Sequence, residues 1–200
     1  MKYLIGIDEV GRGPLAGPVA VGIVVISKEN YQAILMSGLF YKNKDSKKLT
    51  PKRREKTFEI VVDLKKQGKL NYGVFFESNF IIDQLGIATA IRRAIAKGLK
   101  NLKMEPADCR VLLDGGLKCP LEYSNQESLI KGDETELVIS LASVVAKVTR
   151  DRKMEILAED TLLYDFKNNK GYGTVKHIAD LKKYGPSNLH RKSFITRIIP

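Results

Sequence analysis

The sequence predicts an α/β fold: a mixed β-sheet flanked by helices on both faces, with a helical segment at the C-terminal end. Three observations predict it. Val/Ile-rich runs of strand length open the chain at 3–7 and 18–26. The loop that joins them, GRGPLAGP, is too short for a helical crossover, so the pair must be antiparallel. Beyond residue 50, segments with apolar residues at helical spacing alternate with short apolar runs, as in a sheet covered by helices.

Residues 3–7 (YLIGI), 18–26 (PVAVGIVVI) and 72–77 (YGVFFE) read as the first three strands. A helix precedes the third: Thr50 is placed to cap it, Pro51 suits its first position, Phe58, Val61 and Val62 recur at helical spacing, and Gly68 stops it. A second helix carries Ile87, Ile91, Ala94 and Ile95 on one side. RVLLDGG (110–116) and ESLIKGD (127–133) are further short strands. A long amphipathic helix runs from Glu134 toward Asp160. At 100° per residue, Leu137, Leu141, Val144, Val145 and Val148 fall together, and Ser140, Ser143, Lys147, Arg150 and Asp151 form a polar, mostly cationic stripe beside them. After KNNKGYGT a last helix starts near Val175 and ends at Gly185 and Pro186. No repeat or linker divides the chain, so residues 1–200 are expected to form one domain, with about 160–200 as its helical C-terminal segment.

At 200 residues and 44% hydrophobic, the chain can bury one substantial core. Its 34 Lys and Arg against 23 Asp and Glu give a net charge of +11, which suits a polyanionic partner such as nucleic acid or an acidic membrane surface. Cys109 and Cys119, with His177 and His190, have neither zinc spacing nor a disulfide framework, so both cysteines read as reduced thiols. The apolar run before Asp8 is too short for a signal peptide and no window approaches a membrane span, so a cytoplasmic protein is expected.

Asp8 ends the first run, Asp114 ends VLL and Asp133 follows SLIKG, so three acids stand where strand-like runs stop. Ligands collect at the carboxyl ends of strands in open α/β sheets, and acids meeting there would raise one another's pKa unless a divalent cation neutralised them. Oxygen-only ligands select magnesium or manganese over zinc, and on a basic protein the matching chemistry is two-metal phosphodiester hydrolysis. For any one Asp beside glycine, capping a turn is the alternative. Asp8 and Glu9 would point to opposite faces of a straight strand, although Gly11 and Gly13 offer a bend. The backbone N–H groups of GRG could line a surface for an anion or hydroxyl, with Arg12 as a forked donor.

The ordered motifs IGIDEVGRGPLAGPVAVGIVV, DSKKLTPKRRE, ASVVAKVTRDR, KGYGT and YGPSNLHRKSF resemble those of the ribonuclease HII family, nearly end to end. The resemblance implies a ribonuclease H-like fold and an endonuclease that cuts 5′ of a ribonucleotide, in RNA–DNA hybrids or embedded singly in duplex DNA. It implies that Asp8, Glu9, Asp114 and Asp133 are catalytic and bind Mg2+ or Mn2+, two ions during the reaction. Gly11, Arg12 and Gly13 would contact the ribose 2′-hydroxyl and phosphate, and Tyr172 would stack on the neighbouring deoxynucleotide sugar. Lys47, Lys48, Ser143, Lys147 and Arg150 would hold phosphates, and the protein would act as a monomer. Two departures stand out: Asn169 replaces a histidine usual in bacterial relatives, and GDETEL puts Glu134, Thr135 and Glu136 where a small residue, lysine and serine are common. The related ribonuclease HIII normally carries an N-terminal extension, and with the signature at residue 5 the HII type is expected. The alternatives are a noncatalytic basic nucleic-acid-binding module and another metal-dependent nuclease of this fold, ribonuclease HIII-like or a junction resolvase.

Overall fold

In the computed structural model, which describes residues 1–40, 49–159 and 161–199, strands β1 (Tyr3–Val10) and β2 (Val19–Ser27) pair antiparallel, as their short loop requires. Strand β3 (Asn71–Glu77) follows β2 antiparallel, while β4 (Cys109–Asp114) joins the other side of β1 in parallel and β5 (Gln126–Leu129) joins β4. The sheet order is β3-β2-β1-β4-β5, which is mixed, as predicted.

Helices α1 (Lys28–Met36), α2 (Pro51–Lys66), α3 (Asn79–Leu85) and α4 (Ile87–Asn101) lie among the strands, and α5 (Gly132–Thr135) and α6 (Leu137–Glu159) follow them. The period-2 alternation of the strands sorts the core. Ile5 and Ile7 of β1 and Val111 and Leu113 of β4 pack with Ile91, Ala94, Ile95 and Leu99 of α4 on one face. Val24 and Ile26 of β2 and Leu112 of β4 pack with Val138, Leu141, Val145 and Phe58 on the other, beneath α6 and α2. Helix α2 starts where its capping chemistry places it: the Thr50 hydroxyl accepts from the Arg53 N–H at 3.3 Å.

Three features differ from the sequence reading. Helices α1 and α3 bury only Ile34 and Ile82 respectively and so leave no periodic apolar stripe. Strand β5 stops at Leu129, and Lys131 turns the chain in a left-handed conformation (φ 56°) that puts Asp133 on α5 and not at a strand end. The helix expected from Glu134 is thereby split, with Glu136 extended between α5 and α6.

The C-terminal helices α7 (Phe166–Asn169), α8 (Val175–Tyr184) and α9 (Lys192–Ile195) bury Tyr164, Phe166, Leu181 and Ile195 against Met154 and Ala158 of α6 and against Ala16 of the β1–β2 loop. Backbone bonds seal this contact: Gly17 N–H to Leu189 O at 2.9 Å, Arg191 N–H to Leu15 O at 2.8 Å, and Leu15 N–H to Gly171 O at 2.8 Å. Among the described residues no helix is long and apolar enough to cross a membrane.

Helix α6 lies directly on the sheet because β1 and β2 carry glycine beneath it. A Cβ on Gly6 would lie 2.2 Å from Val138 O, and one on Gly22 would lie 2.2 Å from Ala142 O. Backbone cannot retreat as a flexible side chain can, so Gly22→Ala is expected to destabilise the fold by about 3 kcal/mol. A lower urea midpoint at unchanged slope is the expected result, and a midpoint equal to that of the wild type would contradict the close approach.

Candidate active site

The register that places β1 beside β4 also places their acids together. Ile7 pairs with Leu113, so Asp8 and Asp114 are the next residues along two parallel neighbours, and both belong to the α6 face of the sheet. Asp8 is 3% exposed; its Oδ1 accepts from the Glu9 N–H at 2.8 Å, and the Ser143 side chain on α6 hydrogen-bonds to it. Burial, above all, pushes the Asp8 carboxyl up to about 8, with the charges of Glu9 and Asp114 adding to the shift and the Ser143 bond opposing it. A group this reluctant to ionise fits a place where a cation supplies the missing charge.

Glu9 does not join Asp8 in this. Strand β1 runs through Val10, so no bend intervenes and the two side chains leave opposite faces of the sheet. The Glu9 carboxylate instead receives Nη1 of Arg12 at 2.8 Å. Asp133 is fully buried on α5, next to Gly132, where a Cβ would stand 3.6 Å from the Asp114 Oδ1. Among the described residues, no three His, Cys, Asp or Glu side chains converge closely enough to hold a metal ion as they stand. Asp8 and Asp114 stand in register at the ends of two parallel strands, and Asp133 follows Gly132, which lies beside Asp114. Such a pair suits magnesium or manganese, which keep several waters and take the rest of their ligands from substrate phosphates.

A cleft of about 320 Å3 opens at Asp8, lined also by Glu9, the GRG segment, Ser143, Lys147, Tyr172 and Arg54. The guanidinium of Arg191 shapes one wall, donating to Gly11 O at 2.6 Å, Arg12 O at 3.0 Å and Gly17 O at 3.0 Å. In trans peptides the N–H opposes the carbonyl, so capturing the Gly11 and Arg12 carbonyls turns the Arg12 and Gly13 amides away from Arg191. A side chain at Gly11 is excluded twice, by its φ of +87° and by Arg150 Nε, 2.1 Å from where a Cβ would be.

Arg150 itself is corrected. It is 0% exposed and donates through Nε to Pro18 O at 2.9 Å and through Nη1 to Lys170 O at 3.1 Å, so it faces the loop junction and not a phosphate at the surface. Of the predicted cationic stripe, Lys147 remains at the cleft, 2.9 Å from Asp151 and 5.8 Å from the Tyr172 ring centroid. Ser143 is engaged with Asp8. Lys47 and Lys48 lie outside the described residues. Tyr172 is 38% exposed at the cleft mouth. Its loop is braced by Asn169, whose Oδ1 accepts the Gly171 N–H at 2.8 Å and whose Nδ2 donates to Tyr164 O at 2.6 Å, so the histidine-to-asparagine departure leaves the loop supported. Glu134, Thr135 and Glu136 line a separate depression beside Tyr31 and Leu35.

Sequence reasoning did not single out Arg191 or Arg54. A basic residue near a chain end reads as surface charge, and Arg191 betrays its burial only through the segment it folds against. Arg54, half-buried on α2 with Nη2 2.9 Å from Leu49 O, follows a proline-led helix start that faces the cleft.

Residues 5–197 match the family model described as Ribonuclease HII. The chain is 40% identical over 198 residues to the ribonuclease HII of Caldicellulosiruptor bescii, covering 99% of this chain and 89% of the relative. It superposes with a TM-score of 0.72 and 25% identity on the ribonuclease HII in a PCNA:RNase HII complex from Archaeoglobus fulgidus, covering 95% of this chain and 94% of that one. Bst-RNase HIII in complex with Mn2+ shares the fold, with a TM-score of 0.63 and 18% identity over 92% of this chain and 63% of that one.

The raised Asp8 carboxyl has a direct consequence. Below pH 8 a cation must displace its proton, so the apparent affinity for Mn2+ is expected to rise by up to about tenfold per pH unit from pH 6 to 8 and then level off. Isothermal titration in buffers of different ionisation heat should show about one proton released per ion bound near pH 7. An affinity flat across this range would remove Asp8 from the ligand set.

Proposed function

We propose how phosphodiester hydrolysis proceeds in this chain, which belongs to the ribonuclease HII family and is a metal-dependent endoribonuclease of the ribonuclease H type. The substrate is the bond on the 5′ side of a ribonucleotide, in an RNA–DNA hybrid or at a single ribonucleotide within duplex DNA. Water attacks the phosphorus, the bond to the preceding 3′-oxygen breaks, and the products carry 3′-hydroxyl and 5′-phosphate ends. The observation that supports this reading is that one cleft is lined by the buried Asp8, the GRG segment and the exposed Tyr172 together.

Asp8 and Asp114 would hold the divalent ion, Mg2+ or Mn2+, with Asp133 as a further oxygen donor. The Mn2+ bound by the fold relative Bst-RNase HIII agrees with that assignment. When bound, such ions lower the pKa of the attacking water and stabilise the leaving oxygen, with two expected during the reaction. Ser143 orients Asp8 through their hydrogen bond, and Glu9 acts through Arg12, whose second guanidinium nitrogen remains for phosphate. The Arg12 and Gly13 amides meet the ribose 2′-hydroxyl and its phosphate, which is the group that separates RNA from DNA. Lys147 and Arg54 supply positive charge along the cleft, and Tyr172 stacks on the next deoxyribose; Lys47 and Lys48, which lie outside the described residues, are read as further phosphate contacts. The protein is read as acting as a monomer.

The test is incubation with Mn2+ or Mg2+ and duplex DNA holding one ribonucleotide, beside an all-DNA control. Cutting of the first alone, on the 5′ side of the ribonucleotide, is expected; equal cutting of both would point to a general metal nuclease, and no cutting to a binding module. Asp8→Asn should lower kcat by about 10^3-fold, or about 4 kcal/mol of barrier, while duplex affinity stays within about twofold. Substantial turnover by that variant would remove Asp8 from the chemistry.

A further inference from the structure

The two histidines of the chain, distant in sequence, meet in its interior. His177 on α8 and His190 after Pro186 are 0% and 1% exposed, and their Nε2 atoms are 3.0 Å apart. Tyr164 and Phe166 box them in, with the Tyr164 ring centroid 4.7 Å from that of His190 and Phe166 5.3 Å from His177. Two neutral imidazoles buried among aromatic rings add little stability over an apolar pair of the same shape, since their desolvation offsets their bonding. Their value lies in direction.

That direction can be read without ambiguity. His177 Nδ1 lies 2.8 Å from the carbonyl of Tyr172, which can only accept, so Nδ1 carries the hydrogen and Nε2 is left as a lone pair. His190 Nε2 must then donate to it, and His190 Nδ1 accepts the Ser187 N–H at 2.9 Å. Every ring nitrogen has a partner, His190 Nδ1 meeting the Ser187 hydroxyl at 2.9 Å as well as its N–H, in a chain running from Ser187 through both rings to Tyr172. A proton added to His177 would face two hydrogens toward each other between the Nε2 atoms. Burial pushes His177 down and, with the neighbouring His177, pushes His190 down to about 4, which keeps both rings neutral at physiological pH.

The chain ends on the one loop residue whose ring is presented to the cleft. The Tyr172 carbonyl also receives the Thr174 N–H at 2.9 Å, and the Tyr172 N–H is held by Asn169 O at 2.9 Å, so the main chain is fixed on both sides while the ring stays free. We propose that His177 and His190 are positioning residues for substrate recognition, a directional hydrogen-bond chain that sets the height and tilt at which Tyr172 meets the sugar face of a nucleic-acid duplex. This inference rests on the reading of Tyr172 as a substrate contact.

Long-range 15N–1H NMR of the whole protein at pH 7 should find His177 as the Nδ1–H tautomer and His190 as the Nε2–H tautomer. The reverse assignment would overturn the chain. In steady-state cleavage of duplex DNA with one ribonucleotide, His190→Leu is expected to raise KM about tenfold with kcat within about twofold. His190→Gln, which keeps an N–H near the position of Nε2, should bring KM back to within about twofold of the wild type. Tyr172→Ala should raise KM similarly, and adding His190→Leu to it should cost nothing further, because both remove one contact. Losses that multiply in the double variant would mean that the histidines act on the fold at large, and the proposal fails. If Tyr172→Ala alone leaves KM unchanged, the reading of Tyr172 fails and the positioning role with it, while the tautomers still report on the chain itself. Should His190→Leu not fold, His190→Asn, too short to reach His177, takes its place; a wild-type KM there overturns the proposal.

Discussion

A positive charge held by three carbonyls, with no carboxylate in ion-pair contact among the described residues, keeps the GRG loop in shape. Arg191 is fully buried, and its guanidinium is met by the carbonyls of Gly11, Arg12 and Gly17. Three charge-assisted hydrogen bonds offset a desolvation cost that would otherwise be several kcal/mol. Burial and the nearby Arg150 still push the Arg191 guanidinium down to about 9, a measure of how far from water it sits. The loop gains a fixed polarity: carbonyls inward, amides outward. Without that anchor, the glycines that admit substrate would also let the loop collapse or flip.

The same economy of direct contact governs the acids. Gly6 and Gly22 let α6 sit on the sheet, and that brings Ser143 within reach of Asp8 just beyond the glycine contacts. The Asp8–Ser143 hydrogen bond is thus set by the fold, and Asp8 and Asp114 stand in register at the ends of two parallel strands, with Asp133 buried on α5.

Local chemistry was legible in the sequence and long-range cover was not. Thr50 and Pro51 fix the start of α2 because capping needs only four neighbouring residues, and the mixed sheet follows from a loop too short to cross over. Asp8 and Asp114 could be paired because both end apolar runs. Arg150, by contrast, falls on the polar side of the α6 helical wheel, and nothing within α6 reveals that the C-terminal segment closes over it. At Glu9 the glycines at 11 and 13 permit a bend, but β2 pairs with β1 as far as Val10 and keeps the strand extended, while Glu9 still lines the cleft with Asp8. The His177–His190 pair was invisible, since two lone histidines thirteen residues apart carry no spacing that predicts a contact.

The two loops that line the cleft are bonded to each other. Leu15 and Ala16 both donate to Gly171 O, at 2.8 and 3.3 Å, and Gly171 has no side chain because one would lie 2.3 Å from Ala16 O. The GRG amides and the Tyr172 ring are therefore two jaws of one caliper whose opening is set during folding. A polymer laid across both jaws is gauged by the length of one backbone step, and an isolated nucleotide, however well it matches either jaw, can close on only one.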